Sequence, residues 1–348
     1  MEKILNYAVV GLGVGMSHCR GAAEAEGARL YAVCDLVDER LQKAHGLYPD
    51  AKLYTDYDEM LADPEIDIVS VCVPSGMHAD LAIKALRAGK HVLVEKPMDI
   101  TVDRILDIEK VRLETGLKVG GVFQNRRNAI MAPMKEAIDE GKLGKIFSGL
   151  FRVCWYRGAD YFRANGHWRG TWQWDGGGSL MNQGVHTVDL MQWLLGDVAS
   201  IKAETAILDH DEIETEDFVF ATVKFKSGAI VLLTSTTCAN PGVSTDIQVI
   251  GTKGTIFVDG DRPTVWKIAG PNCKEEEKEI LDAFSGNGST AWADPTLIRG
   301  HSFMVQDMVD AVRFDRDPMV GPEEATKAVR IVNAVYESAR TGKEIFFD

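Results

Sequence analysis

The chain has 348 residues, 45% of them hydrophobic and 26% charged, proportions that exclude disorder, collagen-like repeats and a coiled coil and, at this length, ask for two domains. Thirty-eight lysines and arginines against 52 aspartates and glutamates leave a formal charge of −14, a field that repels phosphate backbones and sets nucleic acid aside as a partner. No apolar run approaches the roughly 20 residues of a membrane helix, and the start, MEKILNYAVVGLG, carries no signal-peptide pattern, so a cytoplasmic protein with no membrane partner is expected.

From Asn6 to Phe123 short apolar runs (YAVVG, LYAVCD, IDIVSVCVP, HVLVE, KVGGVF) alternate with stretches of helical spacing. Runs without polar alternation suit strands covered on both faces, so residues 1–123 read as a doubly wound parallel sheet whose ligand lies at the carboxyl ends of the strands. There the first run meets Gly11-Leu12-Gly13-Val14-Gly15-Met16. Gly11, Gly13, Val14 and Gly15 form a turn that lets a pyrophosphate approach the backbone at a helix N-terminus. The place of the third fingerprint glycine is taken by Met16, with Gly15 one residue early. The second run ends at Asp35, where a carboxylate can accept from a ribose 2′-hydroxyl, which favours NAD over NADP.

The next strand ends supply Pro74, Ser75 and His78, then Glu95-Lys96-Pro97. A lysine at such a position lies in the ligand crevice, and the following proline restricts its backbone. The strings Val73-Pro74-Ser75-Gly76-Met77-His78 and Ala88-Gly89-Lys90-His91-Val92-Leu93-Val94-Glu95-Lys96-Pro97 resemble the glucose-fructose oxidoreductase, inositol dehydrogenase and rhizopine catabolism (Gfo/Idh/MocA) family. The resemblance covers essentially the whole chain. It implies an N-terminal Rossmann domain with Pro74, Ser75, His78, Glu95, Lys96 and Gln124 at the cofactor. It further implies an α+β C-terminal domain, 124–348, with a large open, mainly antiparallel sheet that binds substrate and forms a homodimer or homotetramer. Gln124 and Arg126, directly after the last Rossmann strand, become candidate contacts to nicotinamide and substrate.

After Phe123 the strand-like runs do alternate, and hairpin signals join them: FVFATVKF, Lys226-Ser227-Gly228, AIVLLTSTT, and IQVI, Gly251-Thr252-Lys253-Gly254, TIFV. Between Tyr156 and Leu180 lies a segment too long for a plain connector. It concentrates Trp168, Trp172 and Trp174 with Arg163, Arg169, His167 and Asp175, flat apolar faces beside donors and acceptors, as a sugar requires. Arg163, Trp168, Arg169 and Trp172 are therefore candidate substrate contacts, with Arg163 or Arg169 suited to a carboxylate or phosphate. Three glycines, 176–178, lead to Ser179 as an expected N-cap and a helix over 180–195. Asn182, His186 and Asp189 share one face of it. The family carries an Asp-x-x-x-His pair there, with asparagine variants in branches that resemble nucleotide-sugar and glycoside 3-dehydrogenases, and this chain has Asn182 before His186. Asp189 could orient the imidazole instead. Two more helices are expected over 301–313 and 322–338.

Oxidation of a secondary alcohol needs a hydride acceptor and a base for the hydroxyl proton. NAD supplies the first; His186 is the candidate base, and Lys96 the ammonium that stabilises the developing alkoxide. The expected activity is an NAD-dependent dehydrogenase acting on a small carbohydrate. A redox-assisted glycosidase and a non-catalytic cofactor-sensing binding protein are the alternatives. No compact metal-ligand motif is present and no metal is expected, although His186, Asp189 and His167 or Asp175 could in principle hold one. The six cysteines are scattered without a CxxC pair and are expected to be reduced and structural.

Overall fold

A computed structural model describes residues 3–284 and 299–348. In chain order the elements are β1 (Leu5–Val10), α1 (Gly15–Glu24), β2 (Ala28–Cys34), α2 (Asp38–Leu47), β3 (Lys52–Tyr54), α3 (Tyr57–Leu61), β4 (Ile68–Val71), α4 (His78–Arg87), β5 (His91–Val94), α5 (Val102–Thr115) and β6 (Val119–Gly121). Then follow α6 (Met131–Asp139), β7 (Ile146–Cys154), α7 (Ala159–Arg163), a π-helical turn (Ser179–Gly184), α8 (Val185–Leu195), β8 (Val198–Ala206), β9 (Phe218–Phe225), β10 (Ile230–Thr236), β11 (Asp246–Gly251), β12 (Gly254–Asp259) and β13 (Arg262–Ile268). The last elements are α9 (Cys273–Ala283), α10 (Arg299–Arg313), α11 (Pro322–Thr341) and β14 (Ile345–Phe346).

The chain packs as two units, Met1–Gln124 with Ile298–Val329, and Asn125–Leu297 with Arg330–Asp348. The sequence boundary of 1–123 against 124–348 is thus amended at its far end. The physical reason is the apolar stripe of α10: Met304, Val305, Met308 and Val309 are buried in one cluster with Val9, Leu12, Cys19 and Ala22. Each such side chain contributes about 1.5–3 kcal/mol when removed from water. Gly21 lets α1 and α10 close, because a Cβ there would lie 3.1 Å from the Cα of Ser302.

In the first unit six parallel strands run in the order β3-β2-β1-β4-β5-β6. β1 and β4 are buried along their whole length, as their mainly apolar sequences, without polar alternation, require. The order reverses between β1 and β4, which places the ligand crevice at their carboxyl ends. Local signals set the helix ends: the Thr101 hydroxyl accepts from Arg104 N–H at the start of α5, and Gly116 closes it at φ 69°.

The second unit holds an eight-stranded sheet, β13-β12-β11-β7-β10-β9-β8-β14. β7 and β10 are parallel and the other neighbours antiparallel. Burial alternates along β9, β10 and β11. The π turn packs on β7, β9 and β10, and α8 on β7.

Candidate active site

The first unit builds a dinucleotide cradle. Gly11 sits at φ 85°, and a Cβ there would fall 2.4 Å from the Cys72 carbonyl oxygen, so only glycine lets the turn after β1 cross the end of β4. At Gly13 a Cβ would meet nothing within 4 Å, and Gly13 and Val14 are exposed: this is the open stretch on which a pyrophosphate can lie. At Gly15 a Cβ would stand 2.9 Å from Val9 Cγ1 and 3.2 Å from Cys72 Cβ. Gly15 therefore serves the close helix–strand packing that the third fingerprint glycine usually provides, and Met16 in that place costs nothing. Asp35 is fixed against the turn: Oδ2 accepts from Leu12 N–H at 2.7 Å and Oδ1 from Val37 N–H at 2.8 Å, with Arg40 Nη1 at 3.5 Å. Glycine turn, helix start and pinned carboxylate together fit NAD.

At the ends of β4 and β5 the side chains divide. Pro74 and Lys96 are half-buried, and the Lys96-Pro97 bond is cis. His78 is buried, with Nδ1 2.7 Å from the Pro97 carbonyl oxygen and Nε2 2.8 Å from that of Val73; Ser75 is buried as well. Glu95 Oε1 stands 2.8 Å from His18 Nε2 and 3.1 Å from His301 Nε2, while Oε2 accepts from Lys96 N–H at 3.1 Å. His18 Nδ1 continues to the Ser70 hydroxyl at 2.8 Å, and that to the Tyr7 hydroxyl at 2.7 Å. Burial pushes the Glu95 carboxyl up, but the His301 and His18 rings outweigh it and hold it well below the ordinary range. The sequence reading expects His78 and Glu95 at the cofactor; in the structure their side chains are engaged within the protein. Their polar atoms are buried in bonds that shape the loop around Lys96. Gln124 ends this unit with its side chain packed on Gly300.

The second unit carries the substrate-side candidates. The helix expected over 180–195 is present, but its first turn is π-helical, a distortion frequent at functional sites. Ser179 does not cap it: its hydroxyl donates to Ser235 Oγ at 2.8 Å. Asn182 and His186 are half-buried. Asn182 is held from three sides, by Tyr161 O–H and the Gln183 side-chain Nε2–H donating to Oδ1 (both 3.1 Å) and by Nδ2 donating to Asp175 Oδ1 at 2.7 Å. Asp189 is fully buried and takes Arg126 in two bonds, Nε to Oδ2 at 2.8 Å and Nη2 to Oδ1 at 2.6 Å. Arg126, expected at the nicotinamide and substrate, is only 6% exposed and is engaged by Asp189.

In the long loop Arg163 is exposed, as is Trp172, whose indole N–H donates to the Glu214 carbonyl at 3.0 Å. Arg169 lies over the rings of Tyr161 (4.6 Å) and Trp168 (4.7 Å), and Arg157 over those of Trp155 (5.0 Å) and Tyr161 (5.3 Å). The result is a ladder of alternating aromatic rings and guanidinium groups, Trp168, Arg169, Tyr161, Arg157 and Trp155, with the Asn182 partner Tyr161 at its centre. Arg157 and Tyr161 were not singled out by sequence reasoning, and Asp175 only as a polar group of the loop and a possible metal ligand; the density of arginines and aromatics is the signal that could have marked the first two. Among the described residues, ligand-bearing side chains gather within 4.8 Å as His18, Glu95 and His301, and as His210, Asp217 and Cys238. The grouping of His186 and Asp189 with His167 or Asp175 is not among them.

Comparison with known proteins gives consistent matches. Residues 5–120 match the model of an oxidoreductase family with an NAD-binding Rossmann fold, and residues 131–257 the GFO/IDH/MocA C-terminal domain. The WlbA dehydrogenase of Bordetella pertussis, solved with NADH and UDP-GlcNAcA, is 31% identical, with a TM-score of 0.88 over 100% of this chain and 99% of that one. Its counterpart from Chromobacterium violaceum, solved with the same two molecules, is 33% identical, with a TM-score of 0.89 over 100% and 97%. The scyllo-inositol 2-dehydrogenase (NAD(+)) of Bacillus subtilis is 27% identical over 100% of this chain and 98% of its own. No helix among the described residues is long and apolar enough to cross a membrane.

Proposed function

Because this chain belongs to the GFO/IDH/MocA family of oxidoreductases with an NAD-binding Rossmann fold, we propose that it moves a hydride between NAD(H) and a secondary hydroxyl or ketone of a sugar, cyclitol, glycoside or nucleotide-sugar. On this reading the first unit binds NAD, and the second binds substrate and forms a homodimer or homotetramer through its sheet, whose outer face carries Phe220, Ile230 and Leu232. NAD, when bound, supplies the hydride acceptor. The Lys96 ammonium donates a hydrogen bond to the substrate oxygen and stabilises its developing charge. His186 takes the hydroxyl proton and returns it in the reverse direction. Asn182, locked by Tyr161, Gln183 and Asp175, presents a fixed amide to a neighbouring hydroxyl.

The observation that carries the reading is the pairing, in one family fold, of the Gly11–Gly13–Asp35 cradle with a π-to-α helix that bears a locked Asn182 and a half-buried His186. Within the substrate class, the arginine–aromatic ladder favours a sugar that carries a carboxylate or phosphate, because a net charge of −14 repels anions unless cations are concentrated where they bind. The UDP-GlcNAcA held by both WlbA structures supports the same choice, with Arg157, Arg163 and Arg169 as its candidate partners and Trp168 and Trp172 as walls.

The test is NADH formation by the purified protein with NAD and a panel of polyols, neutral sugars, uronates and nucleotide-sugars. Lys96→Ala and His186→Ala should each lower kcat by about 10²–10⁴-fold with folding intact. Near-normal turnover in either variant refutes the assigned pair. Hydrolysis of a glycoside without accumulation of NADH would replace the dehydrogenase by a redox-assisted glycosidase.

A further inference from the structure

The pair formed by buried Glu216 and half-buried Tyr336 has no part in the chemistry above, yet it closes the start of the helix that bears Asn182 and His186. The first four amides of a helix have no partner within it. Here Gly178 N–H donates to Glu216 Oε2 at 2.8 Å, Ser179 N–H to the Glu216 carbonyl at 2.9 Å, Leu180 N–H to Glu216 Oε1 at 2.8 Å, and Met181 N–H to the Tyr336 hydroxyl oxygen at 3.2 Å. The Tyr336 O–H in turn donates to Glu216 Oε1 at 3.1 Å. Four successive amides are thus satisfied by two residues remote in sequence.

The glycine run exists to admit this clamp. A Cβ on Gly178 would fall 1.8 Å from the Glu216 carbonyl oxygen, and one on Gly177 would fall 2.1 Å from the Tyr336 hydroxyl. The device is costly. Glu216 is 4% exposed, and burial pushes its carboxyl up to about 7, against the bonds from Leu180 and Gly178 N–H and from Tyr336. A serine cap would serve stability at a lower cost, but the capping position is Gly178, and Ser179, the first residue of the turn, bonds elsewhere. Every group that hydrogen-bonds the Glu216 carboxyl is a donor, so these bonds favour the anion while burial favours the neutral acid. The titratable groups around it are Tyr336 from α11, whose hydroxyl also feels Asp175 from the long loop, and Asp217 next in the chain. The Trp172 ring stands edge-on to Tyr336 at 5.3 Å.

We infer that Glu216, seconded by Tyr336, is a positioning residue: its carboxylate fixes the π turn and so sets where Asn182 and His186 stand, without touching substrate. The inference rests on the assignment of those two residues to the substrate side. Its first readout does not need that assignment. Hydrogen exchange of the full-length protein should show amides 178–181 exchanging about ten- to hundredfold faster in Glu216→Gln, the worth of a hydrogen bond to a charged group, with the β9 and β10 amides unchanged. Tyr336→Phe should move the same amides less, and keeps the test available where Glu216→Gln does not fold.

In the NADH assay, Glu216→Gln should lower kcat with the Kd for NAD unchanged, and should displace the acid limb of the kcat–pH profile. Unchanged exchange at 178–181 in folded variants, or an acid limb that stays in place in Glu216→Gln, overturns the inference. Faster exchange in a protein without dehydrogenase activity would leave the clamp standing and remove the proposed function.

Discussion

Replacing Arg126 by methionine separates a core residue from a substrate contact. The guanidinium and the Asp189 carboxylate are 5% and 1% exposed and share two bonds of 2.8 and 2.6 Å. The guanidinium also lies 5.7 Å from the Trp193 ring centre, and Lys135 Nζ lies 5.6 Å from the same centre. Methionine keeps much of the volume but leaves Asp189 buried beside a neutral group, which costs about 3–5 kcal/mol. That is a large part of the roughly 5–15 kcal/mol that holds a domain folded. At about 2–4 °C per kcal/mol for a unit of this size, Tm should fall by roughly 6–20 °C in a thermal melt followed by circular dichroism. Removing both charges, as in Arg126→Met with Asp189→Leu, should recover most of that loss, because an apolar pair of similar volume does about as well as a buried ion pair. A single variant that melts like the parent while its KM for substrate rises would refute this account and return Arg126 to the substrate.

The glycine turn gives a paired test. Gly13→Ala meets open space, so stability should stay within about 0.5 kcal/mol while the Kd for NADH, read by fluorescence, rises; tight binding by this variant would move the pyrophosphate elsewhere. Gly15→Ala meets Val9 and Cys72 and should cost about 1–3 kcal/mol in denaturant unfolding, whether or not cofactor is present. Glu216 predicts a pH effect on stability. Its carboxyl is raised in the fold from 4.5 to about 7, so the folded state holds the proton more tightly than the unfolded chain. The resulting stabilisation, about 3 kcal/mol, is present in full below 4.5, falls away as pH rises through this window, and is gone above 7. A stability difference between the parent and Glu216→Gln that is the same at pH 5 and pH 8 would show that the group does not titrate there.

The parallel unit was legible because its signals are local. Unbroken apolar runs specify strands covered on both faces, Gly11 and Gly13 specify the turn, and Asp35 follows the second strand at the expected spacing. The hairpins of the second sheet were equally readable from alternation and glycine turns, and β9, β10, β11 and β12 lie where those signals put them. Lys96 at the end of β5 and His186 on a helix after the glycine run were identifiable as candidates for the same reason, since position relative to one element is written within that element.

What the sequence determined by itself is therefore the list of elements and the chemistry each offers. Only the tertiary structure decided which side chains are spent on one another. Arg126 and Asp189 lie 63 positions apart, and Glu216 and Tyr336 lie 120 apart. The return of α10 to the first unit depends on a core it meets nearly 300 residues after β1. Hydrophobic period and turn chemistry act over a few residues, whereas a buried charge is stabilised by whatever donor the fold brings within 3 Å, and no short window of sequence records that choice.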